Sequence, residues 1–389
     1  MRILYHHRTQ GEEPESIHIR SIVAALRELG HEVRVVGPGE IGQTGEVSVD
    51  CSPPRALVRI KRSVPRVVFE LLQIAYNLVA WRRLDRAVRE FRPDLLYERY
   101  ALFSFAGAIV SRRRRLPLIL EVNTPYAQAW AQYFGLHLRR VAAWLERRTL
   151  RSAHHVITVT HAQSLLLQRL GVAAADITVS HNAIDPRSFD VALHAQAPVR
   201  SKLGLSGVVV GFVGTMNRWQ GIPQFAGVVA GVIARCPETT FLFVGDGEFR
   251  QALEDGCRAR GLVGRVVFCG RQPHDEIPKY VAAMDIAVLL NSNTYGSPMK
   301  IFEYWGMGKA VVAPNVPPVV EVLRDHDTGL LIEPGNAAQL ADRIVDLVRD
   351  PQLRQRLGAA GRAYVLEHHT WRNNAEQIIR AHAKLAGAG

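Results

Sequence analysis

Residues 295–314 read YGSPMKIFEYWGMGKAVVAP, and this stretch carries one full helix-to-strand alternation. Ser297 is a good N-cap and Pro298 suits the first helical position, so a helix is expected over Met299–Met307. Gly308 stops it, and the apolar run Ala310–Ala313 reads as a strand. A similar run, Ile286–Leu290, precedes the stretch. Strand, helix and strand in that order make a parallel unit, since only parallel neighbours need a crossover. One residue breaks the apolar pattern: Glu303. A carboxylate in such a run needs partners.

The same rhythm extends outward in both directions. In the second half, strands are expected at Val208–Val213, Thr240–Gly245, Val266–Cys269 and Gly329–Ile332 as well. VVVGFVGT (208–215) and FLFVGDG (241–247) each end in glycine-rich turns. In the first half, strands are expected at Arg2–His6, Glu32–Val36, Leu95–Glu98, Pro117–Val122 and His155–Val159, with a first helix over Ser16–Leu29. Segment 190–202 has no strong period and reads as a linker. The fold class is therefore α/β: two Rossmann-like domains facing a central cleft, the default ligand site. The expected divisions are 1–192, 193–368, and a final helix over 369–389 that packs back toward the N-terminal domain.

A chain of 389 residues is too long for one ordinary core, which agrees with two domains. Hydrophobic residues make up 48% and charged residues 22%, a globular composition. Cys51, Cys236, Cys257 and Cys269 are scattered, with no CxxC pair, and suit a reducing compartment better than a disulfide or zinc framework. MRILYHH runs straight into a strand, without the look of a signal peptide.

Net charge is +12, and residues 51–115 alone hold 15 basic against 5 acidic residues. Such a patch suits an anionic partner. Within it, VVFELLQIAYNLVAW (67–81) contains Glu70, Gln73 and Asn77 and is not a membrane-spanning helix. Arginines and a lysine flank it. It is read either as a core helix followed by a basic surface helix, or as a helix lying on an anionic membrane surface. Arginines 112–115 read as an exposed helix end. No Asp/His group has metal-ligand spacing, the His154–His155 pair reads as structural, and there is no aromatic-basic motif for nucleic acid.

The start of the 299–307 helix is a natural anion site, because its N–H groups point outward. Lys300 sits in the first turn, where the helix dipole disfavours a cation, so a phosphate nearby would explain it. Glu303 shares its face and could accept hydrogen bonds from the two hydroxyls of a ribose.

These residues carry a family resemblance. GSPMKIFEYWGMGKAVVAP (296–314) resembles the nucleotide-sugar signature of family 4 glycosyltransferases of the GT-B fold, in which a glutamate at the position of Glu303 binds the donor ribose. The segment from Tyr5 to Pro38, ILEVNTP (119–125), and the run from VITVTHAQ (156–163) to ITVSHNAIDPRSF (177–189) resemble the family's first domain. GFVGTMNRWQGI (211–222), FLFVGDGEF (241–249) and VVFCGRQPHDEIPKYVAAMDIAVLLN (266–291) resemble its second, in order and spacing. Two departures stand out. The family's second glutamate falls on Tyr295, and its usual Arg and Lys after the first donor-domain strand fall on Thr215 and Gln220.

The resemblance implies a metal-independent transferase without a cofactor that retains anomeric configuration. It moves a hexosyl group from a nucleotide-diphosphate sugar to a lipid-linked or saccharide acceptor. The donor-binding set it implies is Gly11, Gly214, Thr215, Gly245, Arg271, Gln272, Tyr295, Gly296, Ser297, Pro298, Met299, Lys300, Ile301 and Glu303. Lys300 and Arg218 are expected to balance the diphosphate charge. Asn123 stands where many relatives carry a cleft histidine and is a further catalytic candidate. Glu12, Glu15 and His18 are candidates on the acceptor side. The basic region 51–115 suggests attachment to the inner face of a bacterial plasma membrane. A non-hydrolysing nucleotide-sugar epimerase and a non-enzymatic nucleotide-sugar-binding subunit are the alternatives.

Overall fold

A computed structural model describes residues 1–9, 14–38, 64–124, 126–127 and 135–387. Two units result: Met1–His181 with Trp371–Gly389, and Asn182–Thr370. Among the described residues each unit is built on one sheet of six parallel strands.

In the first unit the strands are β1 Arg2–His6, β2 Glu32–Val36, β3 Leu95–Arg99, β4 Leu118–Val122, β5 His155–Thr158 and β6 Ile177–Val179, in the order β2-β1-β3-β4-β5-β6. In the second they are β7 Val209–Val213, β8 Thr240–Val244, β9 Val266–Phe268, β10 Ile286–Val288, β11 Ala310–Pro314 and β12 Leu330–Ile332, in the order β12-β11-β10-β7-β8-β9. Both chains of strands reverse direction of travel once, between β1 and β3 and between β7 and β10. Crevices at such switch points, at the carboxyl ends of the strands, are where open α/β sheets bind ligands.

The strands are nearly continuous apolar runs because helices cover both sheet faces. All five residues of β7, β8 and β11 are buried. A ring cluster of Phe212, Phe225, Phe243 and Phe268 sits in the core of the second unit. β6 was not expected. It is three residues long, too short to show a period. Residues 190–202 are not a plain linker, since they form a 3-10 turn, Val191–Leu193, and a helix, Gln196–Leu203. The helices Pro351–His368 and Trp371–Gly387 flank the expected break, and the second packs in the first unit against helix Pro14–Glu28.

The expected core helix over 67–81 is half of a longer helix, Arg66–Phe91. Its polar residues turn inward. Glu70 accepts hydrogen bonds from the His137 and Leu138 N–H groups at 2.9 and 2.7 Å. Asn77 donates to Phe103 O at 2.8 Å and accepts from Phe105 N–H at 2.9 Å. Leu71, Leu72, Leu78 and Val79 point outward and are exposed. Among the described residues no helix is long and apolar enough to cross a membrane.

Candidate functional site

In the second unit, β7, β8 and β9 run into glycine turns at their carboxyl ends. Gly214, Gly245 and Gly270 have φ of 138°, 134° and 66°, a region in which other residues are strained. The turns are stitched together: Gly214 N–H donates to Val244 O at 2.9 Å, and Gly245 N–H to Gly270 O at 2.8 Å. A Cβ on Gly245 would collide with the Gly214 carbonyl, and one on Gly214 would collide with the end of the Lys300 side chain.

Lys300 therefore lies directly against the first glycine turn, across the switch point. Its ammonium sits 4.7 Å from the centre of the Phe212 ring. In the amide orientation that satisfies both neighbours, Gln220 accepts from Lys300 and donates to the Thr215 carbonyl. Burial draws the Lys300 pKa down to about 8, opposed by the Glu303 carboxylate. This contact explains one family departure. A lysine at position 220 would bring a second ammonium against Lys300, whereas glutamine offers it an oxygen. Arg218 lies in the same loop, exposed, its guanidinium 4.9 Å from the Phe249 ring. Thr215 is exposed beside it.

The helix that carries Lys300 spans Met299–Gly306, one residue shorter than expected. Ser297 is not its cap, because the cap position falls to Pro298 without a side-chain hydrogen bond. Ser297 Oγ instead accepts from Asn182 N–H at 3.0 Å. The N–H groups of Met299 and Ile301 donate to Ser297 O and Pro298 O, each at 3.0 Å. Ile301 is fully buried, so its side chain is a core element. Tyr295 and Gly296 are held by their N–H groups on Asn293 Oδ1, at 3.1 and 2.5 Å. Tyr304 ties the helix to β7 by accepting from Val213 N–H at 2.9 Å. Helix Pro351–His368 props it from behind: Arg362 donates to the carbonyls of Gly306 and Phe189.

Glu303, 8% exposed, does have a partner. His274 Nε2 lies 3.1 Å from its Oε1. His274 was missed from the sequence, although it stands in the quoted GRQPHDEI run, and a carboxylate in an apolar helix was the signal that some donor had to reach it. Gln272 closes on its own loop, donating to Cys269 O at 2.6 Å and accepting from Tyr280 OH at 3.0 Å. Arg271 beside it is exposed.

In the first unit the expected residues converge on one that was not expected, Glu121. His18 Nε2 is 3.1 Å and Arg99 2.5 Å from Glu121 Oε1. Asn123 donates to the same oxygen at 2.6 Å, and Tyr97 OH to Oε2 at 2.8 Å. Burial alone would raise the Glu121 pKa, but His18 and Arg99 overcome it and hold the carboxyl well below the usual range. His18, Tyr97, Glu121, Asn123, Ser180 and Asn374 line one side of a small cavity there, with isoleucines and a valine completing it. At the switch point of this sheet, Glu98 accepts from Ser104 Oγ at 2.8 Å and lies 3.3 Å from His6 Nδ1. Glu98, Arg99 and Glu121 were legible in the same way as Glu303, as charges inside the apolar strands LLYER and LILEV. His154 and His155 bond to Leu118 N–H and to Thr178. Gly11 and Glu12 lie outside the described residues, as does the side chain of Glu15. Among the described residues no group of three or more His, Cys, Asp or Glu side chains could hold a metal ion.

Comparison with known proteins agrees with the fold. The family profile described as "Glycosyltransferase Family 4" matches residues 16–188, and "Glycosyl transferases group 1" matches residues 207–350. The chain is 30% identical over 354 residues to a 2-deoxystreptamine glucosyltransferase of Streptomyces kanamyceticus, covering 86% of this chain and 89% of the relative. It is 26% identical over 394 residues to a phosphatidyl-myo-inositol mannosyltransferase of Mycobacterium leprae, covering 96% and 93%. The crystal structure of Anabaena HepE in complex with UDP shares the fold, with a TM-score of 0.74, 20% identity, and coverage of 99% and 100%. Two parallel sheets, each closed by its own covering helices, and full-length similarity to these enzymes give one assignment: the chain belongs to the family 4, group 1 glycosyltransferases of the GT-B fold.

Proposed function

We propose that this glycosyltransferase moves a hexosyl group from a nucleotide-diphosphate sugar with retention of configuration, without a metal ion or other cofactor. The observation that carries the reading is the placement of the Lys300 ammonium against the Gly214 turn, one helical turn from Glu303. A diphosphate over the glycine turns would meet Lys300 and the exposed Arg218, and its ribose would meet Glu303. Fixed cations suit a reaction whose main demand is stabilising a departing diphosphate. In such a same-face reaction the bond from the anomeric carbon to the diphosphate oxygen breaks. The acceptor oxygen then bonds to that carbon, and the leaving phosphate takes its proton. Crystal structures of HepE hold UDP, UDP and glucose, or UDP-glucose, which supports a nucleotide-sugar donor. The epimerase alternative would release free nucleotide sugar without an acceptor.

For the acceptor side the reading is a lipid-linked or saccharide acceptor at the inner face of a bacterial plasma membrane. Its support is the first half of helix Arg66–Phe91. Glu70 and Asn77 face inward, while Leu71, Leu72, Leu78 and Val79 face out and lead into exposed Arg82, Arg83 and Arg86. An apolar stripe with an arginine end fits the interface of an anionic bilayer. Residues 51–63 of the basic region lie outside the described residues.

Three experiments test these readings. A thermal-shift panel of nucleotide sugars is expected to show selective stabilisation by one donor, and product analysis is expected to show retained configuration. An inverted product would overturn the mechanism. Flotation with anionic vesicles is expected to carry the protein in low salt and release it in high salt. Equal recovery without anionic lipid would remove the membrane reading.

A further inference from the structure

We propose that His274 is a positioning residue for ribose recognition, holding the Glu303 carboxylate in the plane in which it takes the vicinal hydroxyls of the nucleotide. The proposal rests on the reading of Glu303 as the ribose ligand. His274 belongs to a 3-10 turn, His274–Glu276, reached from β9, whereas Glu303 lies on the helix reached from β10. In the sheet those two strands are separated by β7 and β8. The 3.1 Å contact between Nε2 and Oε1 therefore ties the crossover from β9 to β10 to the helix that follows β10.

The pair is asymmetric in exposure. The His274 side chain is 41% exposed and that of Glu303 11%. An imidazole so open contributes little as core packing, but it reaches a carboxylate that solvent barely touches. The terminal torsion of a glutamate is broad and nearly two-fold, so burial of its stem leaves the carboxylate plane undetermined. A hydrogen bond on Oε1 from the side fixes that plane. A carboxylate has about four lone-pair sites, so one bond to His274 still leaves both oxygens able to accept from a diol. Among the described residues no other side chain hydrogen-bonds to Glu303, so loss of His274 removes the side-chain hydrogen bond that orients its carboxylate.

Binding is measured by calorimetry on the full chain. The probe is whichever of UDP, GDP or ADP the wild-type protein binds most tightly, together with its 2′-deoxy and 3′-deoxy forms. The wild type should prefer the ribonucleotide by about tenfold, the scale of one charge-assisted hydrogen bond, and Glu303→Ala should abolish that preference. His274→Ala should cut it to about two- to threefold, while affinity for the deoxy forms stays within about twofold. His274→Gln, whose amide can donate in place of the imidazole, should restore most of it. Full discrimination in His274→Ala, alongside its loss in Glu303→Ala, would overturn the positioning role and leave the ribose reading intact. Full discrimination in Glu303→Ala would overturn both. An equal loss of affinity for all three nucleotides in His274→Ala would mark a general structural role and also overturn the proposal.

Discussion

At the scale of single residues, Lys300 separates function from stability. Its half-buried side chain sets the ammonium against Gly214, Phe212 and Gln220, and its folded pKa is about 8, below the ordinary value of 10.5. The folded state thus binds fewer protons than the unfolded state between those two values. Below pH 8 the buried charge costs stability in full, and the cost fades as pH rises from about 8 toward 10.5. Lys300→Met should therefore leave thermal stability at pH 7 unchanged or higher. It should weaken nucleoside-diphosphate binding by about 10- to 100-fold, the range of a charge-assisted hydrogen bond. Wild-type affinity should also fall as pH rises through 8, a limb absent from the variant; calorimetry across pH 6.5–9.5 checks both.

Among elements, the helix that carries Lys300, Met299–Gly306, depends on the helix behind it. A Cβ on Gly361 would strike the Trp305 ring, which is fully buried and donates Nε1–H to Thr328 O at 2.9 Å. The ring cannot yield without breaking that bond, so Gly361→Ala should cost about 1–3 kcal/mol. Chemical denaturation would show it as a lower midpoint with an unchanged slope. In the first unit, helix Arg139–Leu150 carries Glu146, buried and accepting Ala127 N–H at 3.2 Å. Burial raises its pKa from 4.5 to about 7. The folded state then holds an extra proton between those values, so this group makes stability fall as pH rises from 4.5 to 7. Glu146→Gln should remove that slope and gain up to about 3 kcal/mol above pH 7, at 1.36 kcal/mol per pKa unit. Unfolding curves at pH 5 and pH 8 test it.

Across the whole molecule, the first unit also holds described groups that respond to acid with the sign opposite to Glu146. Burial, with His6 and Arg99 adding to it, pulls the His7 pKa down from 6.5 to about 3. A depressed histidine supports folding above 6.5, and that support is lost as pH falls from 6.5 toward 3. Glu121 adds the same sign at lower pH, since its depressed carboxyl must be protonated on acidification. In Glu146→Gln, which lacks the opposing gain of Glu146 on acidification, hydrogen exchange at pH 4 should show protection lost in β1, β3 and β4 before β7, β8 and β11; the reverse order would contradict this account.

The alternation of apolar runs, glycine stops and amphipathic segments is local, so eleven of the twelve described strands were readable from the chain, and only the three residues Ile177–Val179 escaped. Charges inside apolar runs were equally readable: Glu303 was singled out, and Glu98 and Glu121 stood in view. Partners were not. Ser297 looks like a helix cap in sequence, yet its hydroxyl is taken by Asn182, 115 residues away. His274 and Glu303 are 29 residues apart and on different elements. His18 and Asn123 meet only through Glu121. The Arg66–Phe91 helix shows why the difference is physical: its sequence contains polar and apolar residues on definite faces, but which face turns inward depends on the backbone donors at His137 and Leu138 that Glu70 finds. By itself the sequence determined the order of elements, the family and the residues whose burial would need compensation. Only the tertiary structure decided which distant groups supply it, because hydrogen-bond partners across a sheet edge are set by strand order, and strand order leaves no periodic mark in the chain.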